Sequence, residues 1–343
     1  MELLSFIQQA PKAELHSHID GGLRAQTVLE LAQKHHVQLP TFELEELRKH
    51  LTIDDNCRSL VEYFEPFNHT LNVLQTEDAL ERTMFEYLED AHLDHTKYIE
   101  ARFSPALHLQ KGLKLKQVMD AILRGKRQAE EQFKIKSNII VCGLRTIDES
   151  KNIALAQLAA DYKNKGVVAF DLAGAEYGNS GKKHIKSFEI AIKNNLCRTV
   201  HAGEADGAHS IAEALHYLGA QRIGHGTNLF QDPDLLKYIV DRQIGLEVCL
   251  TSNKQTKSIQ DIKKHPFRTY FEHQIPVTIN TDSTLVSGTS LSKEYELAVD
   301  LFHFNQEDIM KIMLNAFQQA FIAYDEKQDL IKEVKQEYQS LLS

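Results

Sequence analysis

The feature that most constrains the fold of this chain is a strand-like segment that recurs eight times, with helical patterns between most of the copies. Each copy is short and rich in β-branched and other apolar residues, as buried parallel strands are. We predict strands over residues 13–19, 97–104, 137–144, 166–174, 197–203, 222–226, 244–250 and 275–282. Eight alternating β and α units are typical of a (β/α)8 TIM barrel, so we predict this α/β fold, as one domain, for residues 1–343.

A long, mostly helical stretch separates the first two predicted strands. We predict a helical insertion over residues 20–96 that could cover the mouth of the barrel as a lid. Within residues 58–71, four large side chains follow a three- and four-residue spacing: Leu60, Tyr63, Phe64 and Phe67. This spacing is typical of the apolar face of a helix, and part of that face could wall a site. After the last strand we predict extra helices, the first of them capped by Asn305.

Residues that bind metals or move protons lie at the ends of four of these strands. The four segments are ELHSHIDGG (14–22), TVHAGEA (199–205), RIGHGT (222–227) and VTINTDS (277–283). Catalytic residues of (β/α)8 barrels come from the carboxyl ends of different strands. We therefore expect these side chains to meet at one face of the barrel.

Three histidines and one aspartate form a predicted metal-binding set. His16 and His18 are two residues apart on one strand, so their side chains point to the same side. With His201 and Asp282 they supply three imidazoles and a carboxylate, a ligand set that leaves zinc an open position for water. Strand four ends in DLAG (171–174) and offers no lysine for a bridging carbamate, which favours a single metal. We predict one Zn²⁺ per chain.

Two further residues are predicted to move protons. Glu204 lies three residues beyond His201, where it can face a substrate and donate a proton. His225, between two glycines, could take the proton of an attacking water. Glu247 on strand seven is predicted to orient His225 from behind. Other histidines in polar stretches, His265 among them, are expected at the solvated surface without a role.

Composition and short motifs exclude several classes of function. A net charge of −9 argues against a nucleic-acid surface. No glycine pattern fits a dinucleotide fingerprint or a phosphate loop, so neither NAD nor ATP is implied. The four cysteines lack CxxC spacing, which favours reduced thiols. Because neither a signal peptide nor a membrane span is evident, we predict a cytoplasmic protein that acts on a small molecule; its oligomeric state is open.

Taken together, the motifs resemble those of the adenosine deaminase family, compact bacterial type, in the amidohydrolase superfamily. The resemblance covers about residues 10–325 and includes ELHSHIDG, ARFSP, DLAG, TVHAGE, RIGHG, LEVCLTSN and NTD. It implies zinc-dependent hydrolytic deamination of adenosine and deoxyadenosine to inosine and deoxyinosine, in purine salvage. It also implies that Glu204 protonates purine N1 and that His225 positions and deprotonates the attacking water.

The resemblance extends to residues that would contact the nucleoside. Asp20 resembles the residue that holds the ribose 5′-hydroxyl, Gly174 the one whose backbone N–H meets purine N3, and His18 is also expected to contact substrate. Ser283 follows Asp282 where many family members carry a second aspartate that contacts purine N7. A serine hydroxyl can donate to N7 but is shorter, so we expect a weak contact.

Two alternatives stay open from the sequence. The substrate could be a related 6-aminopurine: adenine, a methylated adenine nucleotide or an aminofutalosine-like nucleoside. Asp20 favours a free 5′-hydroxyl over a free base or a nucleotide. A metal-binding pseudoenzyme is the other alternative; Glu204 and His225 argue against it, since a protein that only binds needs neither.

Overall fold

The eight predicted strands are all present and form one parallel sheet in chain order. A computed structural model describes residues 1–54 and 56–343. The strands are β1 (Lys12–His18), β2 (Thr96–Phe103), β3 (Lys136–Leu144), β4 (Val167–Ala173), β5 (Cys197–Ala202), β6 (Arg222–His225), β7 (Gly245–Val248) and β8 (Val277–Ile279). Just beyond β8, the backbone N–H of His18 donates to the carbonyl of Asp282 at 2.6 Å. This bond joins the last strand to the first, so the predicted (β/α)8 barrel is confirmed.

Helices surround the sheet. In chain order they are α1 (Leu3–Gln9), α2 (Ala25–His35), α3 (Leu44–Leu51), α4 (Leu60–Tyr63), α5 (Phe67–Val73), α6 (Glu77–Leu93), α7 (Leu115–Phe133), α8 (Glu149–Asp161), α9 (Ile185–Lys193), α10 (Ala208–His216), α11 (Pro233–Arg242), α12 (Leu250–Gln255), α13 (Phe267–Glu272), α14 (Thr284–Ser287), α15 (Leu291–Phe302), α16 (Gln306–Gln319) and α17 (Tyr324–Leu342). Within the described ranges, no helix combines the length and the apolar character that a membrane span needs.

Alternation along β1 sorts its side chains between two environments. Ala13 and Leu15 are fully buried in the main hydrophobic core. His16 and His18, one position out of phase with Leu15, join the polar cluster described below. A period of two therefore places core residues and site residues on the same short strand.

The insertion between β1 and β2 is helical, but its apolar face is divided between two helices. α4 ends at Tyr63 and α5 begins at Phe67, because Pro66 has no N–H to donate and disfavours a helical conformation at the residue before it. Tyr63 packs with Cys57 and Val286 in a small cluster separate from the main core. The extent of the single domain and the lid role of residues 20–96 stay predictions.

The helix capped by Asn305 begins as the sequence indicates, but it is not the first helix after β8, because α14 and α15 precede it. The Asn305 side chain accepts from the backbone N–H of Asp308 at 3.0 Å, and the Asp308 carboxylate accepts from the Asn305 N–H at 3.1 Å. This reciprocal capping box starts α16, which packs against β1 and β8. The predicted cap is confirmed, and α16 covers the side of the barrel where the first and last strands meet.

Candidate metal centre and active site

The four predicted metal ligands converge at the carboxyl ends of the strands. One ligand atom from each of His16, His18, His201 and Asp282 lies within 4.8 Å of the others. β1 supplies the first two, β5 the third, and the turn after β8 the fourth. All are buried except His18, which is partly exposed. The strand ends thus bring together residues that are up to 266 positions apart in the chain.

Two of the site residues have a left-handed backbone. Asp282 has a φ of 63° and His225 a φ of 64°, although neither is a glycine. Such a conformation costs about 1–3 kcal/mol and persists only where the surroundings enforce it. For Asp282 the enforcement is visible: its N–H donates to the His16 carbonyl at 3.0 Å and its carbonyl accepts from His18. The seam of the barrel therefore sets the direction in which the Asp282 carboxylate points.

Buried carboxylates orient two of the imidazoles. Nδ1 of His16 donates to Glu247 at 2.9 Å, and Nδ1 of His201 donates to Asp171 at 3.0 Å. Each ring is thereby left with a bare Nε2 that faces the cluster. Nε2 of His16 is buried without a hydrogen-bond partner, 3.6 Å from the Asp282 carboxylate. A buried lone pair with no donor suits a cation, so the donor set fits a metal ion.

Glu247 was predicted to orient His225, and this partner was wrong. Glu247 contacts His16 and not His225, because β7 pairs with β6 in a register that places Glu247 beside Gly224. Its pKa is held well below the usual range: burial opposes ionisation, but the charges of Arg102 and Arg222 outweigh it. Arg102 lies 2.8 Å and Arg222 2.6 Å from its two oxygens.

Asp171 and Arg102 were missed as site residues by sequence reasoning. Arg102 bridges Glu247 and Asp171, the two carboxylates that orient the ligand histidines. The pKa of Asp171 is also lowered: burial opposes this, but His201 and Arg102 outweigh it. A signal was present, since Asp171 is the one charged residue of β4 and Arg102 lies between two apolar residues of β2, where an unpaired charge would be very costly.

Glu204 and His225 lie side by side next to the metal ligands. Oε2 of Glu204 is 3.6 Å from Nε2 of His225, and both side chains are buried. Burial, reinforced by the charges of Asp282 and Glu176, raises the pKa of Glu204 well above its usual range. Burial lowers the pKa of His225 well below its usual range. These surroundings therefore favour the protonated carboxyl of Glu204 and the neutral imidazole of His225.

These groups form one end of a cavity of about 290 Å³. Its apolar wall comes largely from the insertion, through Leu60, Phe64, Phe67 and Leu71. Polar groups also line it: Gly174 with a φ of 93°, Asp20 and Ser104. The carboxylate oxygen Oδ1 of Asp20 and the Ser104 hydroxyl are both buried without a partner. Burial raises the pKa of Asp20 to about 7. The cavity thus pairs an apolar wall with unsatisfied polar groups.

Ser283 is not among the described residues that line this cavity. Its hydroxyl is fully buried, has no hydrogen-bond partner and packs against Gly21, where an added Cβ would come within 2.4 Å of it. This position gives no support to the predicted contact with purine N7, which stays a prediction.

His265 is buried, although its polar neighbours in the sequence had indicated a position at the surface. It is 4% exposed and packs near the rings of Phe267 and Phe302. Its Nε2 lies 3.2 Å from Asn253, whose side chain contacts Nδ1 of His225 at 3.0 Å. The surface prediction was wrong because α13 and α15 fold over the segment that carries His265.

Comparisons with known proteins agree with this geometry. The family model described as adenosine deaminase matches residues 11–337. The chain is 43% identical to a probable adenosine deaminase of Dictyostelium discoideum over 93% of its own length, but spans only 41% of that relative. It is 40% identical to an adenosine deaminase of Mycobacterium marinum, over 97% of this chain and 96% of that one.

A solved structure shares the whole architecture. The crystal structure of an Arabidopsis N6-mAMP deaminase superposes with a TM-score of 0.86 at 28% identity, covering 98% of this chain and 99% of that one. The family model and the full-length bacterial relative both extend across all eight strands and the four ligand positions. This chain belongs to the adenosine deaminase family.

Proposed function

We propose that this protein is a zinc-dependent enzyme that hydrolyses adenosine and deoxyadenosine to inosine and deoxyinosine with release of ammonia, as in purine salvage. The observation that carries the proposal is that Glu204 and His225 line the same cavity as three of the four converging ligand residues, in surroundings that favour a protonated carboxyl and a neutral imidazole. A protein that only bound a nucleoside would need no such proton donor.

The metal would be held by His16, His18, His201 and Asp282. Three imidazole nitrogens and one carboxylate form a ligand set that suits zinc. When bound, zinc supplies a water whose pKa is lowered to about 7. Glu247 and Asp171 contribute by keeping Nε2 of His16 and His201 unprotonated and aimed at the centre.

The remaining chemistry belongs to side chains of this protein. Glu204, whose pKa is raised by burial, would donate its proton to purine N1 and so draw electrons away from C6. His225, 3.6 Å from Glu204, would contact the oxygen that attacks C6. Gly174, with its left-handed backbone, would offer its N–H to purine N3. The amino group then takes the proton of the new C6 hydroxyl and leaves as ammonia, and the water oxygen becomes the purine carbonyl. Glu204 regains from solvent a proton equivalent to the one that the attacking water released.

The cavity favours a nucleoside over a nucleotide or a free base. Phosphate groups are normally bound by Arg or Lys side chains, and the described residues that line the cavity include neither. Asp20 in the same lining would repel a phosphate. A free base would leave the unpartnered oxygens of Asp20 and Ser104 without hydrogen bonds, at a cost of about 1–3 kcal/mol each. A 5′-hydroxyl could satisfy Asp20.

A substrate screen on metal-loaded protein tests the proposal. The compounds are adenosine, deoxyadenosine, adenine, AMP, N6-methyl-AMP and nucleosides modified at the 5′ position, followed by absorbance and by ammonia release. We expect the highest kcat/KM with adenosine and deoxyadenosine, and about one zinc per chain by elemental analysis. A higher kcat/KM with adenine or with a nucleotide would refute the substrate assignment, and two metals per chain would refute the single-zinc site.

We also propose that the insertion over residues 20–96 acts as a lid and that the protein is cytoplasmic. The contribution of α4 and α5 to the cavity wall supports the first point. The second is supported by four cysteines that carry no disulfide, three of them buried.

A further inference from the structure

Three consecutive hydrogen bonds connect the backbone of α13 to His225. The Phe267 N–H lies 3.1 Å from Nδ1 of His265, Nε2 of His265 lies 3.2 Å from Oδ1 of Asn253, and Nδ2 of Asn253 lies 3.0 Å from Nδ1 of His225. The three side chains are 4%, 0% and 1% exposed, so water has little access to any of these bonds. We call Asn253 and His265 the relay.

The direction of every bond in the relay follows from its first member. A backbone N–H can only donate, so Nδ1 of His265 must accept. A neutral imidazole that accepts at Nδ1 carries its proton on Nε2. His265 is neutral, since burial lowers its pKa to about 3. Its Nε2–H therefore donates to Asn253, which must turn its carbonyl oxygen toward His265.

The same logic then reaches His225. With its oxygen toward His265, Asn253 presents its NH₂ group to Nδ1 of His225. An amide NH₂ can only donate, so Nδ1 of His225 accepts and the single proton of the neutral ring lies on Nε2. That nitrogen faces Glu204 and the metal ligands.

The other two forms of His225 break the relay. Both the Nδ1–H tautomer and the charged ring would donate to Asn253, which would have to turn its oxygen toward His225. The NH₂ group of Asn253 would then donate to Nε2 of His265. The His265 ring would therefore carry its proton on Nδ1. Two donors, Nδ1–H of His265 and the backbone N–H of Phe267, would then face each other at 3.1 Å in a buried site.

We propose that Asn253 and His265 are positioning residues that fix His225 as its Nε2–H tautomer, so that His225 donates a hydrogen bond to the attacking oxygen and does not remove its proton, which passes to solvent. The kinetic part of this inference rests on the proposed function; the tautomer itself does not. It revises the role that the sequence predicted for His225, which was that of a base.

Nitrogen NMR of the metal-loaded protein, labelled with ¹⁵N-histidine, tests the tautomer without turnover. Long-range ¹H–¹⁵N spectra distinguish a protonated ring nitrogen from a bare one. His225 and His265 are assigned by the signals lost in His225→Gln and His265→Gln. We expect both rings to be protonated on Nε2 and bare on Nδ1. A His225 ring that is bare on Nε2, or charged, in the wild-type protein would overturn the proposal.

Asn253→Asp provides the sharpest variant. An aspartate of the same shape can still accept from His265, but toward His225 it can only accept, so Nδ1 of His225 should become protonated. We expect kcat for adenosine to fall by about 10–100-fold, as is usual for a residue that orients a functional histidine, with KM changed by less than about 3-fold. An unchanged tautomer in Asn253→Asp would refute the relay.

Three further measurements separate this role from a structural one. Metal content must be equal in wild type and Asn253→Asp, so that loss of metal does not explain the loss of rate. His265→Gln, whose amide can still donate to Asn253, should keep the His225 tautomer and most of the activity, whereas His265→Leu should lose both. His273→Gln, at an exposed histidine beyond α13, is the matched control and should change neither. If adenosine is not a substrate but the tautomers are as expected, the proposed function fails and the relay stands.

Discussion

At the scale of single residues, the surroundings shift the pKa values of the buried carboxyls in and around the site in opposite directions. Burial, reinforced by the charges of Asp282 and Glu176, raises the pKa of Glu204 and favours its protonated form. Asp282 and Glu247 are equally buried, but imidazoles surround the first and arginines the second, and their pKa values are lowered. Placement among fixed charges therefore decides which carboxyl can donate a proton and which can bind a cation.

Replacing Glu204 by glutamine should remove the proton donor and leave the ligand set intact. Glutamine keeps the size and the hydrogen bonding of the side chain but has no acidic proton. General acid catalysis typically contributes about 10²–10⁴-fold, so kcat for adenosine should fall by at least about 100-fold. Metal content, measured on the same samples, should stay at the wild-type level. A near-normal kcat would show that another residue protonates the purine.

A second prediction at this scale concerns His108, a buried histidine outside the active site. It donates from Nδ1 to the carbonyl of Leu74 at 2.9 Å, and burial lowers its pKa to about 4. A depressed folded-state pKa contributes stability above the unfolded value of 6.5, and this stability is lost as the pH falls toward 4. The loss is at most about 1.4 kcal/mol per pH unit.

His108→Asn tests this, because the asparagine NH₂ can make the same bond but does not titrate. We expect the free energy of unfolding of wild type, relative to that of the variant, to decrease between pH 6.5 and 4.5. Urea unfolding at several pH values measures the difference. A difference that is independent of pH over this range would mean that His108 is not buried as a neutral ring.

At the scale of secondary-structure elements, the insertion is joined by polar contacts to α14, the helix after β8, and to α12. The hydroxyl groups of Tyr63 and Ser287 are 2.7 Å apart, and Gln255 donates to the carbonyls of Ile53 and Ser287. α4 thus connects the cavity wall with the element that follows Asp282. A change in this contact should alter how well the wall encloses the substrate.

Tyr63→Phe removes that hydroxyl and keeps the ring that packs against Phe64 and Phe67. A neutral hydrogen bond contributes about 0.5–1.5 kcal/mol, so KM for adenosine should rise by about 2- to 12-fold, with kcat changed much less. Tyr238→Phe, at an exposed tyrosine on α11, is the matched control. An unchanged KM in Tyr63→Phe would show that α4 does not need this anchor to enclose the substrate.

At the scale of the whole molecule, a network of buried charges extends through the barrel from the site. Arg102 connects Asp171 with Glu247, Glu247 contacts Arg222, and Arg222 continues to Glu100 at 2.5 Å. Every member is at most 1% exposed. Each carboxylate therefore depends on its arginines, and the orientation of the ligand histidines depends in turn on those carboxylates.

Removing Arg222 should test how much the fold depends on this network. Arg222→Met keeps the volume but removes the arginine that pairs with the buried carboxylate of Glu100 and leaves Glu247 with Arg102 alone. We expect the free energy of unfolding to fall by about 3–5 kcal/mol. Arg24→Met breaks a half-exposed ion pair with Glu89 and Asp90 and should cost at most about 1 kcal/mol. Equal losses in the two variants, measured by urea unfolding, would contradict this account.

Local patterns in the sequence determined the elements and the ligand set. The eight strands follow from short-range periodicity, and the cap at Asn305 follows from hydrogen bonding between neighbouring residues. Both can be recognised in the sequence alone. Because strand ends meet at one face of a barrel, the positions of His16, His18, His201 and Asp282 could be predicted to converge as well.

Only the tertiary structure decided which polar groups contact one another. Glu247 pairs with His16 and not with His225 because of strand register, His265 is buried because α13 and α15 close over it, and the seam of the barrel holds Asp282 left-handed. Each of these depends on the relative placement of segments that are far apart in the chain. Spacing along the sequence carries information about the face of a strand or helix, but none about which distant donor will complete a buried hydrogen bond.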